Sequence, residues 1–356
     1  MRFEHRGILA RAVCAVAAFV LSNGPTVAPA PAQDKTPDQA PDKTYVMKIS
    51  LPTINDIPHL FAKNFAAAVE KDSGGRIKPE VYPASQLGSI PRQIEGTQFG
   101  AIQAVTIPPE FIVGVDERFE VMAAPALVDS VEHGQRIAAD PAVLKLMLGL
   151  GVNKGLHGAG LYMVEPACVI SKTPIRHLAD FKGKKIRVLA SPFQTVALDR
   201  LGATPVAMTL GDVLPAIQQG AIDGSLSGMG VFVNMHFYDA AKYITETNQP
   251  TIFIILEVSK KWYDTLPKDL QEIIDRDGLA QSLAITEPTR HMYAEQRKAW
   301  VANGGELIKL PADEQATMRG MLASVGEDVS KAKPALHEAY QEVLAAAQRA
   351  RRSQSQ

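Results

Sequence analysis

One arginine in a short apolar segment is the residue of this 356-residue chain whose type and setting best suggest chemistry. Arg187 stands between Ile186 and Val188, at the end of the basic stretch Lys182-Gly183-Lys184-Lys185. In strict strand alternation its side chain points away from the side taken by its two apolar neighbours. A guanidinium on the inner side of a cleft suits bidentate contact with a carboxylate. The alternative is an edge-strand arginine that faces solvent.

No catalytic or nucleotide-binding motif accompanies this arginine. The sequence contains no G-x-S-x-G, H-E-x-x-H, Walker A or G-x-G-x-x-G pattern, and its eight histidines show no metal-ligand spacing. Cys168 lies in an apolar run, which favours a buried, inert thiol. We therefore expect no enzyme activity, no metal and no cofactor, although a Ser-His-Asp triad assembled across the fold would leave no mark in sequence order.

The composition is that of an ordinary globular protein. Hydrophobic residues make up 46% and charged residues 21%, which argues against wholesale disorder. The 37 basic and 38 acidic residues nearly cancel, and aromatic residues make up only 6%. Neither a basic excess nor an aromatic surface for stacking bases is present, so we expect no nucleic-acid partner.

The first 32 residues have the pattern of a secretory signal peptide. Three arginines precede the uncharged run Ala12–Leu21, which is shorter than the roughly 20 residues of a membrane span. Ala30-Pro31-Ala32 then offers an A-x-A cleavage site before Gln33. An N-terminal anchor helix is the alternative. Residues 33–44 are rich in Asp, Pro, Lys and Gln and predict a disordered leader.

The mature chain alternates strands and helices in two similar halves. The first half has predicted strands at Val46–Leu51, Ile77–Tyr82 and Ala101–Ile107, with helices after Asp56 and over Pro91–Gln98. The second half has predicted strands at 185–188, 205–208 and 221–226, with helices over 193–201 and 211–219. This pattern is typical of wound α/β lobes. We assign 45–165 mainly to a first lobe and 166–255 mainly to a second.

A short internal repeat supports two homologous lobes. Gln98–Gln103 and Gln218–Asp223 both read Q-x-G-A-I-[QD] and lie 120 residues apart. In each, the glycine ends a predicted helix before the chain enters a predicted buried strand. The remaining residues, 256–356, are helical by pattern and are expected to cross both lobes. A long helix from about Pro267 is expected to kink or break at Pro288 and to end at Gly304-Gly305.

Together, these stretches resemble the DctP-type solute-binding proteins of tripartite ATP-independent periplasmic (TRAP) transporters. The resemblance extends from about Tyr45 to Pro311. The stretches that match are Ser73–Ile77, Val81–Gly88, Glu95–Gly100, Lys182–Val188, Leu201–Val206, Ala216–Gly224 and Lys260–Pro267. The family implies a two-lobe α/β periplasmic binding protein fold with hinge strands and a long C-terminal helix that spans both lobes. It also implies a ligand in the cleft, a membrane permease as partner, and a ligand carboxylate paired with the arginine at position 187.

The chain departs from the family pattern at two places. After Asp223-Gly224 the family often has Q-E-N-P, whose amide faces the ligand, whereas this chain has Ser225-Leu226-Ser227-Gly228. Many members also have a second arginine just before the stretch that matches Ser171–Ile175. Glu165-Pro166-Ala167 occupies that place here. A dicarboxylate buried in a cleft needs a partner at each end, so the two departures favour a monocarboxylate ligand.

The sequence therefore predicts a monomeric protein of the Gram-negative periplasm that binds a small organic carboxylate, without catalysis, and delivers it to TRAP permease subunits. The candidate ligand-binding residues are Arg187, Asn55, Thr106, Ser227, Phe232 and Asn234. Three arginines could supply a second positive charge from elsewhere, namely Arg92, Arg118 and Arg290. The alternatives are a secreted α/β hydrolase and a ligand sensor for a signalling partner.

The signal-peptide assignment predicts cleavage after Ala32 on export. The exported protein should have the intact mass of a chain that begins at Gln33, because signal peptidase cuts after an A-x-A site. Mass spectrometry of the periplasmic fraction checks this. An exported protein that still begins at Met1 would contradict it.

Overall fold

Two β-sheets form the framework of the computed structural model, which describes residues 43–352. The expected signal peptide and most of the leader lie outside the described residues. The strands are β1 (Tyr45–Ser50), β2 (Ile77–Tyr82), β3 (Ala104–Ile107), β4 (Leu156–Pro166), β5 (Cys168–Ser171), β6 (Lys185–Val188), β7 (Thr204–Ala207), β8 (Gly224–Ser227), β9 (Tyr243–Thr245), β10 (Thr251–Ser259) and β11 (Glu306–Ile308). The first sheet has the order β2-β1-β3-β10-β4, and the second has the order β11-β9-β5-β8-β6-β7.

Helices pack around both sheets. They are α1 (Ile57–Asp72), α2 (Ile90–Phe99), α3 (Val131–Ala138), α4 (Pro141–Gly149), α5 (Pro192–Arg200), α6 (Leu210–Gln218), α7 (Met229–Asn234), α8 (Lys260–Tyr263), α9 (Lys268–Ala284), α10 (Thr286–Ala302), α11 (Ala312–Leu322), α12 (Val325–Ser330) and α13 (Pro334–Arg352). Within residues 43–352, no helix is both long enough and apolar enough to cross a bilayer.

The two lobes repeat one β-α-β-α-β unit. β1 pairs in parallel with β2 and β3, and β6 pairs in parallel with β7 and β8. The Q-x-G-A-I-[QD] segments have the same geometry at the ends of α2 and α6. Gly100 and Gly220 both have positive φ, and the N–H groups of Ala101 and Ala221 donate to the carbonyls five residues earlier. The expected two-lobe α/β fold is confirmed.

Two connections cross between the sheets. β4 leads through Ala167 into β5 of the second sheet, and β9 leads into β10 of the first sheet. The Ala167 N–H donates to the Pro250 carbonyl at 2.9 Å, which ties the two crossings together. Residues 251–255, which the sequence grouped mainly with the second lobe, therefore pair in the first sheet, where β10 lies antiparallel to β3 and β4.

The expected long helix is two consecutive helices that contact both lobes. α9 packs on α1 and β4 of the first lobe, and α10 packs on α7 and β11 of the second. The break is at Ile285, three residues before Pro288, because proline has no N–H to continue the hydrogen-bond ladder of α9. A Cβ at Gly278 would overlap the Ala159 carbonyl, so this glycine allows α9 to lie directly against β4.

Two buried carboxyl groups lie in the segments between β3 and α3. Glu110 is fully buried, and neither of its carboxyl oxygens has a hydrogen-bond partner within residues 43–352. Glu120 accepts a hydrogen bond from the Phe193 N–H of α5 at 2.7 Å. Burial raises the pKa of Glu110 to about 8 and that of Glu120 to about 7.

These pKa shifts predict that stability falls as the pH rises from 7 to 9. Folded Glu110 keeps its proton at pH 7, whereas an unfolded glutamate, with a pKa of about 4.3, has already lost it. The folded state therefore binds more protons, and it loses about 1 kcal/mol from this group across the interval. Urea unfolding at pH 7 and pH 9 measures the loss.

The variant Glu110→Gln should lose about 1 kcal/mol less than the wild type over the same interval. The matched control is Glu95→Gln, because Glu95 is exposed and pairs with Arg92. An equal loss in the wild type and in Glu110→Gln would show that Glu110 is already ionised at pH 7.

Candidate functional site

A cavity of about 550 Å³ of empty space, which includes the solvent at its opening, lies between the two sheets. Its walls come from strand ends and helix starts of both lobes, where α/β folds generally bind ligands. The apolar lining consists of Pro52, Pro58, Ile90, Pro108, Phe111, Val164, Leu189, Leu210, Val231, Ile252 and Ile254. The polar lining consists of Thr53, Asp56, Thr106, Glu165, Arg187 and Ser227, with Gly228 completing the wall.

Arg187 enters this cavity from the middle of three parallel strands. It lies on β6, and its guanidinium is held by carbonyls on both sides of that strand. Nε donates to the Met208 carbonyl after β7 at 3.0 Å, and Nη1 donates to the Leu226 carbonyl of β8 at 3.3 Å. Nη2 is buried and has no hydrogen-bond partner within the described chain. The two carbonyl contacts fix the plane of the guanidinium and leave one donor group for another molecule.

The charge of Arg187 has no counterion in the described part of the chain. No carboxylate pairs with it in residues 43–352, and only 1% of the residue is exposed. Burial lowers the pKa of Arg187 to about 10, so the side chain remains a cation at neutral pH. From the sequence, we expected the Arg187 side chain to lie in a solvated cleft. In the structure, protein atoms surround it and leave almost none of it exposed. An enclosed, unpaired cation attracts an anion strongly because water does not screen it.

Glu165, which sequence reasoning did not place in the site, lines the same cavity. It lies at the end of β4, and its Oε2 and Oε1 accept hydrogen bonds from the Met229 and Gly230 N–H groups at 3.0 and 3.1 Å. Burial raises its pKa to about 8. A Cβ at residue 228 would overlap the Glu165 carboxyl group, so a larger residue there would displace this carboxyl group. The feature of the sequence that could have identified this residue is an acidic side chain at the end of a buried apolar strand.

Asp56 is the second cavity carboxyl that the sequence did not identify as a site residue. As expected, it caps α1, where its Oδ1 accepts a hydrogen bond from the His59 N–H at 3.1 Å. Burial raises its pKa to about 6. Nearby, Thr106 Oγ1 lies 3.2 Å from the Tyr162 hydroxyl. The cavity thus combines one cation, two carboxyls and a few hydroxyls in an apolar wall.

The structure brings three of the six predicted contact residues to the cavity and places the other three elsewhere. Arg187, Thr106 and Ser227 line it. Asn55 and Asn234 meet each other, since Asn234 Nδ2 donates to the Asn55 carbonyl at 3.0 Å and so joins the two lobes. Phe232 lies in the hydrophobic core of the second lobe, with its ring centroid 5.3 Å from that of Phe237, because α7 turns this face away from the cavity.

None of the three further arginines reaches the cavity. Arg92 pairs with Glu95 and is exposed, Arg118 pairs with Asp116, and Arg290 pairs with Glu132 and Glu287. Arg187 is thus the one basic side chain in the lining that the structure describes. The described residues also contain no cluster of three or more His, Cys, Asp or Glu side chains that could hold a metal ion.

Two known proteins are similar to this chain in sequence over more than half of its length. The C4-dicarboxylate-binding periplasmic protein DctP of Rhodobacter capsulatus is 27% identical over 278 residues, which cover 76% of this chain and 81% of that protein. The uncharacterized protein YiiZ of Salmonella typhimurium is 29% identical over 208 residues, which cover 58% of this chain and 64% of that protein, slightly less than two thirds of its length.

A solved structure shares the fold over most of the chain. The TRAP periplasmic solute-binding protein from Desulfovibrio salexigens, solved with bound orotic acid, has a TM-score of 0.79 and 21% identity, and the match covers 85% of this chain and 100% of that one. The model of the family "Bacterial extracellular solute-binding protein, family 7", DctP, matches residues 51–332. Because that match spans most of the chain, the protein belongs to the DctP family of bacterial extracellular solute-binding proteins.

Proposed function

We propose that this protein binds a small organic monocarboxylate in the periplasm and delivers it to a TRAP permease. The observation that supports this most directly is the unpartnered Nη2 of Arg187, buried in a cavity between the two lobes. A ligand carboxylate there would receive a charge-assisted hydrogen bond and would neutralise the buried cation. Membership of a family of solute-binding proteins supports binding over the hydrolase alternative.

The lining of the cavity supports one carboxylate on the ligand rather than two. A second negative charge would need its own cation or several donors after desolvation. The remaining ionisable lining residues are Asp56, whose negative charge would repel it, and Glu165, which offers no positive charge to pair with it. Eleven of the eighteen lining residues are apolar, which suits an apolar body. The dicarboxylate named for the Rhodobacter relative is therefore not assigned to this chain.

The burial of Arg187 supports binding by closure of the lobes. The residue lies between two sheets that are joined by strands crossing at Ala167 and Pro250, and such connections act as hinges in two-lobe proteins. The hydrogen bond between Asn234 and Asn55 joins the two sides of the cleft, one from each lobe. These two asparagines, which the sequence offered as ligand contacts, act in this proposal as a closing contact instead. Delivery to a permease then needs the lobes to separate again.

The anchor role of Arg187 predicts a large loss of affinity in Arg187→Ala. Binding of the acid should weaken by roughly 2–5 kcal/mol, because the closed cavity would bury an unpaired carboxylate. This is a loss of about 30-fold or more. Arg187→Lys should recover only part, since one ammonium does not reproduce the planar fork. Calorimetric titration of the purified mature chain measures both variants.

Arg92→Ala is the matched control, because Arg92 is exposed, pairs with Glu95 and does not line the cavity. Circular dichroism should show the folded state in all three variants. Unchanged affinity in Arg187→Ala would remove this residue from the site.

The proposal also predicts which acids stabilise the protein. In a thermal-shift panel, monocarboxylates with apolar or hydroxylated bodies should raise the melting temperature, because ligands that bind only the folded state stabilise it. C4-dicarboxylates should have little effect at the same concentration. Stabilisation by micromolar succinate with all monocarboxylates inert would contradict the preference for a single carboxylate.

A further inference from the structure

The central cavity has an acidic side as well as a basic one. Asp56 and Glu165 line the central cavity and also the small cavity behind it, so they lie next to each other. The charge of Asp56 contributes to the raised pKa of Glu165, which agrees with this proximity. Neither carboxyl forms an ion pair with any residue in the described range. We call these two residues the carboxyl pair.

Glu165 is held in place by the backbone rather than left free to turn away. Each of its oxygens accepts one backbone N–H, from Met229 or Gly230, and each keeps a lone pair for a further donor. Gly228 leaves room for the carboxyl group, because a Cβ at this residue would overlap the present position of the Glu165 carboxyl group. The two departures from the family pattern, an acid at 165 and a glycine at 228, are therefore one structural unit.

The buried cation in the same cavity is an independent indication of a ligand. Arg187 is 1% exposed, and its Nη2 has no partner in residues 43–352. Although Arg187 and Glu165 line one cavity, they do not pair with each other, and the pKa of Arg187 shows no effect of a nearby carboxylate. A molecule that lies between them would satisfy both sides at once. Without such a molecule, Arg187 lacks a counterion and its Nη2 lacks a hydrogen-bond acceptor.

We propose that the carboxyl pair is a second ligand subsite, which binds a hydrogen-bond donor of the ligand, a hydroxyl or an ammonium group, remote from the carboxylate at Arg187. The inference rests on the proposed function, since it assumes that a carboxylate occupies the Arg187 side. Carboxyl oxygens accept hydrogen bonds from both kinds of group, whereas the negative charge of Asp56 repels a second carboxylate on the ligand. The ligand class is thus a monocarboxylate with an apolar body and a distal donor.

The test uses acids that differ only in their far end. Calorimetric titrations of the mature chain compare C4 to C6 straight-chain acids and para-substituted benzoates, each ending in CH₃, CH₂OH, CH₂NH₃⁺ or CO₂⁻. In at least one series, an acid ending in CH₂OH or CH₂NH₃⁺ should bind at least about tenfold tighter than its CH₃ and CO₂⁻ counterparts. The better of the two donor ends identifies the group that the subsite prefers.

Two isosteric variants connect that preference to the carboxyl pair. Glu165→Gln and Asp56→Asn should each reduce the advantage of the donor end to less than about threefold, because an NH2 group replaces an oxygen that accepts the hydrogen bond. Asp56→Asn also removes a negative charge, so it should cost the ammonium more than the hydroxyl. Asparagine is also a good helix cap, so Asp56→Asn preserves the start of α1. Glu95→Gln is the exposed control and should keep the full preference.

The outcomes separate this inference from the proposed function. Binding that depends on Arg187 but shows no donor preference, or that favours the diacids, overturns the second subsite and leaves the anchor in place. A donor preference that persists in both isosteric variants also overturns it. If no acid of either series binds, both the subsite and the proposed function are wrong.

Discussion

The desolvated guanidinium of Arg187 is the constraint on which the rest of the site depends. An isolated cation in a protein interior is expensive unless it is paired and hydrogen-bonded. Two backbone carbonyls, of Met208 and Leu226, lie on either side of β6 and accept hydrogen bonds from the guanidinium. No carboxylate within the described chain pairs with it. The buried guanidinium therefore keeps an unpartnered Nη2 that, in the proposed function, receives the carboxylate of the ligand.

The duplication of the β-α-β-α-β unit explains why a cavity exists at this position. Parallel strands of each lobe end at the same edge, and helices begin there. The crossing strands join the two sheets so that these edges face each other, with Thr106 of β3 and Ser227 of β8 in one wall. The cavity, the strand connections that join the two sheets and the polar side chains of the cavity wall are thus consequences of one topology.

Within this fold, Glu165 and Gly228 are two positions at which the chain differs from the pattern expected for the family. Glu165 lies at the end of β4, near the place where the family resemblance implies a second arginine, and Gly228 in the loop after β8 leaves room for its carboxyl group. Substituting either residue alone would leave an unsatisfied backbone N–H or a steric overlap, since the carboxylate and the glycine fit each other. The effect of a substitution at one of these positions on the structure therefore depends on the residue at the other.

Local sequence patterns were enough to predict the kinds of elements, their order and the repeat. Hydrophobic periodicity and helix caps are local properties, so β2 and β6 have the predicted bounds and Asp56 caps α1 as expected. The predicted start of β3 was early by three residues, because Ala101–Gln103 complete the turn after α2 before pairing begins. The basic stretch and its resemblance to a family also pointed to Arg187.

The way in which these residues come together depends on contacts between distant parts of the chain. Whether Arg187 faces solvent or an enclosed cavity depends on β7, β8 and the opposite lobe, which lie far away in sequence. The placement of Phe232 in the core depends on the packing of α7, and the meeting of Asp56 with Glu165 depends on contact between residues more than a hundred positions apart. Such long-range contacts set burial and charge, and no local pattern encodes them.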